Sequence, residues 1–458
     1  MAALDEIRTI VVLMQENRSF DHMLGHLSLE HPEWDVDGLR NPDTEPRYAN
    51  FFAQRFFRPF LIQDEALVIR DLPHSRYHVN MQMARSRSGK KFRMSGFVEA
   101  YVDYTQHRAG EHSPPMGYFD SRGAWMTSFL AREYCVCDRW FTPLPTDTQP
   151  NRCMAFTGTT LIDDTGSRLI EHQEHVFDWL DNAQKKNKRK VRWRVYHDGP
   201  PFFLLFGRFH ELVGAKYRPI SELAHDIQHE PADEAPEVIF IEPRYFDFFW
   251  SDEPANCNHP IARVCHGELL LHRVYTALTS NPDKWARTLF IHTYDEHGGF
   301  FDHVPPLPID NLLPPNAKYT ERFTTTGPRV PGLLISPWVQ PGKAFHGNLD
   351  HTSILQLLAE KFGSGPEGYS DSVTHRRNQE QGIRSVSEAL ADAPALRPVP
   401  TVTPRACPPV PSMKRQPKAP NERAFQEAAR ELLKHEGPIA TGAKYPDLIG
   451  APLTPPAP

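Results

Sequence analysis

Three scarcities narrow what this 458-residue chain can be. No apolar run approaches the ~18 residues that a membrane helix needs, and the first one, Ile10 to Met14, is closed in by Arg8 and Glu16. A helical membrane span is therefore not expected, no export signal is seen, and a soluble, cytoplasmic chain is the expectation. Cysteine is sparse: Cys135, Cys137, Cys153, Cys257, Cys265 and Cys407 form no CxxC and no zinc-ribbon spacing. Without an export signal they read as reduced thiols, and no spacing singles out a bridge, Cys257 to Cys265 included. An excess of positive charge is also missing, with 51 Lys and Arg against 57 Asp and Glu. Nucleic acid is thereby excluded as a general partner, because phosphate-backbone binding needs a cationic face. The basic run at 185–190 (KKNKRK) reads as a solvated loop.

Short, continuous, β-branched stretches are present instead. Residues 9–14 (TIVVLM) have the composition of a strand buried on both faces, and the same grammar returns at 191–196, 238–241, 289–293 and 330–335. Between them Leu271, Val274, Tyr275 and Leu278, and later Ile354, Leu358 and Phe362, recur at helical spacing. The pattern predicts an α/β chain with a doubly wound, mostly parallel sheet sandwiched by helices. Residues 30–70 and 103–123 lack periodicity and predict long loop excursions. Fifteen of the 44 prolines fall at 394–458, so the chain divides into a core at 1–363 and a Pro-rich C-terminal extension at 364–458. One short helix is predicted there, from Asn421 to His435, with Phe425, Leu432 and Leu433 able to dock on the core.

In open parallel sheets ligands bind beyond the carboxyl ends of the strands. Two acidic pairs stand at such ends, Glu16 with Asn17 and Asp295 with Glu296. Together they offer hard oxygen ligands suited to Mg²⁺, Ca²⁺ or Mn²⁺, while nearby histidines keep Zn²⁺ or iron open. The plainer reading is that each pair merely ends a strand or caps a helix. A third cluster at 143–152 surrounds Thr148 with prolines, then presents the Asn151 amide and the Arg152 guanidinium, whose fork can grip an oxyanion. A threonine hydroxyl needs a divalent cation to become a nucleophile, and an ST-turn explains Thr148 equally well from this segment alone. Of 23 histidines, His74, His197, His259, His297 and His303 sit at element ends, where they can bind phosphate oxygens or protonate a leaving group, or simply pin a loop. The glycines at 298–299 suit backbone that passes close to a neighbour or takes positive φ.

Four ordered segments, at 12–21 (VLMQENRSFD), 148–152 (TQPNR), 294–306 (YDEHGGFFDHVPP) and 329–338 (RVPGLLISPW), resemble the bacterial phosphoesterase family. That family holds the phosphatidylcholine-type phospholipases C and a group of acid phosphatases, and is similar in fold to alkaline phosphatase. The resemblance spans about residues 5–362. It implies one divalent metal ion held by Glu16, Asn17, Thr148, Asp295 and Glu296, with Thr148 as nucleophile, and His74, His197 and His259 as phosphate-binding or acid/base groups. Arg152, Asn151, His297 and His303 are the candidate substrate contacts. Asn258 stands where an acidic residue is expected before the histidine, removing a carboxylate that could orient the His259 ring, and Ser95 replaces an expected Asp.

The expected activity is hydrolysis of phosphoric esters through a phosphothreonine, with diester cleavage of a phospholipid head group ahead of monoester cleavage. A non-catalytic scaffold that docks partners through the Pro-rich tail is the reading from another class. Oligomeric state is not set by the sequence.

Overall fold

The computed structural model describes residues 2–63, 71–84, 91–110, 112–171, 173–187, 190–245, 253–260, 262–363, 368–408 and 419–450. Of the basic run at 185–190, residues 188 and 189 fall outside them, and the backbone of 185–187 closes a helix (Val176–Asn187) where a loop was expected.

Eight strands form the central sheet: β1 (Thr9–Gln15), β2 (Cys135–Cys137), β3 (Trp193–His197), β4 (Tyr217–Pro219), β5 (Val238–Glu242), β6 (Thr288–Tyr294), β7 (Gly332–Ile335) and β8 (Lys343–Phe345). Their order is β8-β2-β7-β6-β1-β5-β3-β4. All neighbours run parallel except at β7, which is antiparallel to both β6 and β2. The mostly parallel sheet is thus as expected, and the stretch at 330–335 supplies the one reversed strand. The strands β2, β4 and β8 carry only three residues each, too few for the apolar signature that marks the longer ones.

Strand β1 lies in the middle, with Ile10, Val11, Val12 and Leu13 all buried. A strand covered on both faces has no reason to alternate, which is why it reads as one apolar block. The helix α1 (Thr148–Thr157) starts at the predicted nucleophile, and α2 (Val264–Thr279) and α3 (Thr352–Phe362) carry the two predicted helical periodicities.

The C-terminal part joins the same core. Tyr369, Val373, Phe425, Ala428, Leu432, Tyr445 and Leu448 belong to the main hydrophobic cluster, along with the sheet residues. Its long helix α4 (Pro420–Lys444) exceeds the predicted one and kinks at Gly437, whose φ of 77° precedes Pro438. An unpredicted helix at Asp371–Arg377 delivers the buried Arg376 to Asp350 and to the Pro143 carbonyl. One expectation is overturned outright: Cys265 and Cys407 form a disulfide that ties the strap around residues 397–408 to α2, while Cys135, Cys137, Cys153 and Cys257 stay free and buried. The Tyr275 hydroxyl donates to the Pro400 carbonyl over 2.6 Å and His272 meets the Val402 carbonyl at 3.1 Å, so the strap is held along its length.

Candidate active site

The register of β1 and β6 places Gln15 opposite Tyr294, so the residues that follow, Glu16 and Asp295, leave adjacent parallel strands side by side. The ladder continues one step beyond the strands, with the Asp295 N–H donating to the Gln15 carbonyl at 3.0 Å. Asn17 then turns back with φ of 61°, and its N–H donates to Asp295 Oδ1 at 3.1 Å. Gly298 (φ 65°) passes so close that a Cβ there would lie 2.1 Å from the Asn17 carbonyl, and one on Gly299 would lie 2.6 Å from the Pro73 carbonyl. The glycine pair therefore lets the turn after β6 lock against both the Asn17 bend and the segment that carries His74.

Helix α1 brings the third segment in. Arg152, one turn below Thr148 and fully buried, donates from Nε to Asp295 Oδ2 at 3.0 Å, from Nη1 to the Tyr245 hydroxyl at 2.9 Å and from Nη2 to the Gln15 carbonyl at 3.3 Å. Its Nη2 also lies 3.5 Å from Glu16 Oε1. The guanidinium thus fixes the two acidic strand ends to α1 and is committed to the protein, which corrects the expectation of a fork open to phosphate. Asn151 is committed too: its amide accepts from the Leu144 N–H at 2.9 Å and donates to the Thr146 and Asp147 carbonyls at 2.9 and 3.0 Å. These bonds shape the loop that presents Thr148. Thr148 is the first residue of α1; Gln149 donates its N–H to Thr165 Oγ1 at 3.1 Å and Pro150 has none, so what this helix end offers an anion is chiefly the positive end of its dipole.

On the other side stands His74. Its Nδ1 meets the Leu72 carbonyl at 2.6 Å and its Nε2 lies 3.4 Å from Asn17 Nδ2. Burial alone would lower its pKa, but the charges of Glu296, Asp71 and Asp147 outweigh burial and raise it to about 9. Asp147 immediately precedes Thr148; its own carboxyl is raised to about 7, by burial first and Asp164 next, while His74 opposes the rise. This mutual influence puts the start of α1 within electrostatic reach of His74. The His259 ring stands at 6.2 Å from that of His74, centroid to centroid, with Asp71 between them.

The oxygen atoms at the centre have a common property. Both Glu16 carboxylate oxygens, Asn17 Oδ1 and Glu296 Oε1 are buried without a hydrogen-bond partner among the described residues. Burial, reinforced by Asp295, raises Glu16 well above the usual carboxylate range, and burial pushes Glu296 to about 8. Buried carboxylates are ordinarily paired or bound to a cation. Glu16 and Asp295 share Arg152 and Glu296 lies in the field of His74, yet four oxygens keep no hydrogen-bond donor among the described residues, and this all-oxygen set fits a hard divalent cation.

Two candidate histidines, His197 and His303, lie elsewhere, and a third, His297, stands behind the site. His197 ends β3, two strands from β1 and so about 10 Å away at normal strand spacing. Its ring packs on Tyr445 at 4.6 Å, and burial, then Lys444, lowers its pKa to about 3. His297 is buried beneath the turn, with Nε2 2.7 Å from Gln82 Oε1 and Nδ1 3.3 Å from Glu296 Oε2, so it braces Glu296 from behind. His303 joins a separate ionic cluster, 2.7 Å from Asp21 and 3.2 Å from Asp37. Sequence reasoning missed Gln82, which joins His297 to the Pro73 carbonyl, and the place of Asp71 between two rings. Its only signal was the carboxylate three residues before His74.

The family model described as the Phosphoesterase family matches residues 7–364. The chain is 33% identical over 365 residues to non-specific phospholipase C4 of Arabidopsis thaliana, covering 74% of this chain and 64% of that protein, so it spans a little under two thirds of the relative's length. It is 27% identical to hemolytic phospholipase C of Pseudomonas aeruginosa, over 80% of this chain and 54% of that protein. Among solved structures, alkaline phosphatase from the Antarctic bacterium TAB5 is aligned over 78% of this chain and 99% of its own, at 10% identity and a TM-score of 0.23. On the length of the family match, which takes in both acidic strand ends and α1, the chain belongs to the phosphoesterase family.

Proposed function

We propose that this protein hydrolyses phosphoric esters through a covalent phosphothreonine on Thr148, with head-group phosphodiesters of phospholipids as the preferred class. The observation that carries the reading is the group of orphaned, buried oxygens of Glu16, Asn17 and Glu296, set at the carboxyl edge of the sheet and tied through Arg152 to the helix that Thr148 begins. The relatives named phospholipase C favour diesters over monoesters.

Glu16, Asn17, Thr148, Asp295 and Glu296 would hold one divalent ion, whose charge would offset that of the phosphate and lower the pKa of the Thr148 hydroxyl. In the first half-reaction Thr148 Oγ1 bonds to phosphorus and its proton passes to water. The amino-terminal turn of α1 and the raised, cationic His74 attract the phosphoryl oxygens. The departing oxygen takes a proton from His259, which is half-buried beside His74. Water then cleaves the phosphothreonine and restores the hydroxyl. His197, packed under Tyr445, has no part in this scheme.

The test is Thr148→Ala assayed on phosphatidylcholine and on aryl phosphate mono- and diesters. Turnover is expected to fall by about 10³-fold or more with unfolding behaviour unchanged, and wild-type turnover is expected to vanish on chelation and return with a divalent ion. Activity retained in Thr148→Ala would end the covalent mechanism. Monoester turnover above diester turnover would select the phosphatase reading instead.

A further inference from the structure

The residue before His259 does not orient its ring. Asn258 has φ of 74° and points its amide away, donating to the Tyr294 hydroxyl at 2.8 Å and lying 3.4 Å from Gln15 Oε1. The carboxylate beside His259 comes from a distant part of the chain. Asp71 Oδ1 lies 3.8 Å from His259 Nε2 and 3.7 Å from His74 Nδ1. It is buried without a hydrogen-bond partner among the described residues, and the ligating atoms of the three side chains all fall within 4.8 Å of one another.

Each ring is pinned by its Nδ1 to a backbone carbonyl, His74 to Leu72 at 2.6 Å and His259 to Pro260 at 2.9 Å. This fixes the tautomer and leaves the His259 Nε2 as the atom that can carry a transferable proton. At 3.8 Å the Asp71 oxygen is too far to capture an Nε2–H in a hydrogen bond, so it faces that edge of the ring without taking the proton.

Resting on the reading above, we propose that Asp71 is the positioning residue for His259, replacing the acidic neighbour that Asn258 does not supply and keeping Nε2–H available to the leaving oxygen. The bond from phosphorus to that oxygen breaks, its electron pair takes the proton from Nε2, and the ring is left neutral with its Nδ1–H on the Pro260 carbonyl.

A proton donor matters most when the leaving group is a poor one, whereas a generally loosened site slows all esters alike. The experiment uses the full chain in divalent-containing buffer and measures kcat and KM on nitrophenyl, phenyl and alkyl phosphodiesters. The proteins compared are wild type, Asp71→Asn, Asp71→Ser, Asp71→Glu, His259→Gln and the Asp71→Asn/His259→Gln pair. Both neutral variants are expected to lose roughly tenfold more kcat on alkyl than on nitrophenyl esters. Asp71→Glu should recover part of the difference, and adding Asp71→Asn to His259→Gln should cause no further loss. An equal loss on every leaving group, or an undiminished loss in the His259→Gln background, would overturn the assignment. If wild type turns over and depends on Thr148, either result removes Asp71 alone; if wild type hydrolyses none of the esters, both readings fall.

Discussion

Two buried ionic clusters are built from the same two stretches of chain, the one after β1 and the one after β6, and they are finished differently. In the first, Asp21, Asp302, His303 and Arg329 close on one another. Asp302 Oδ1 accepts from Arg329 Nε at 2.9 Å and from the Val304 N–H at 3.0 Å, while Asp302 Oδ2 accepts from the Asp21 N–H at 3.2 Å and Arg329 Nη2 at 3.1 Å. In the second, four oxygens of Glu16, Asn17 and Glu296 have no hydrogen-bond partner among the described residues, with Arg152 only 3.5 Å from one of them. A cluster that satisfies itself holds the fold together, and one that does not is arranged for something the polypeptide lacks. The contrast separates two motifs that look alike in sequence: the Asp21 and Asp302 ends are bonded to one another, and the Glu16 and Asp295 ends form the proposed site.

The sharpest way to break this comparison is Arg329→Met. Removing one member of a closed buried network should cost about 3–5 kcal/mol, read as a shift in the urea unfolding midpoint. A loss below about 1 kcal/mol would mean that the first cluster is not structural. Glu16→Gln should do the opposite. Turnover is expected to drop roughly 100-fold or more, while the chelated protein loses little thermal stability, because the single contact of Glu16 with Arg152 at 3.5 Å offsets only part of the cost of burying its charge. A loss as large as that of Arg329→Met would show that the Arg152 pairing dominates. The smallest effect is a pH dependence in the closed cluster. Burial lowers the pKa of His303, but Asp21 and Asp37 outweigh it and raise the ring to about 9. A histidine raised on folding stabilises the native state fully below its ordinary value of about 6.5, and that contribution fades as pH rises through about 9. Thermal melts between pH 6 and 10 should show the decline in wild type and a flatter profile in His303→Gln.

What was legible in the sequence follows from how local each signal is. Strands β1 and β6 could be read because burial on both faces writes a continuous apolar block, and the acidic pairs at their ends are adjacent to those blocks. Strand β2 has three residues and writes almost nothing. The roles of Arg152 and Asn151 were misread because both residue types bind anions as readily as they bind carboxylates and carbonyls, and only geometry says which. Asp71 and His259 meet through the fold, far apart in the chain, so no spacing rule could join them. The bridge between Cys265 and Cys407 escaped for the same reason.

The central position of β1 has a consequence for biosynthesis. Strand β1 pairs with β5 and β6, so its partners at Val238–Glu242 and Thr288–Tyr294 are translated long after it. Until then the ribbon from Ile10 to Met14 has neither neighbour, a sticky edge exposed throughout elongation and a natural client for chaperones.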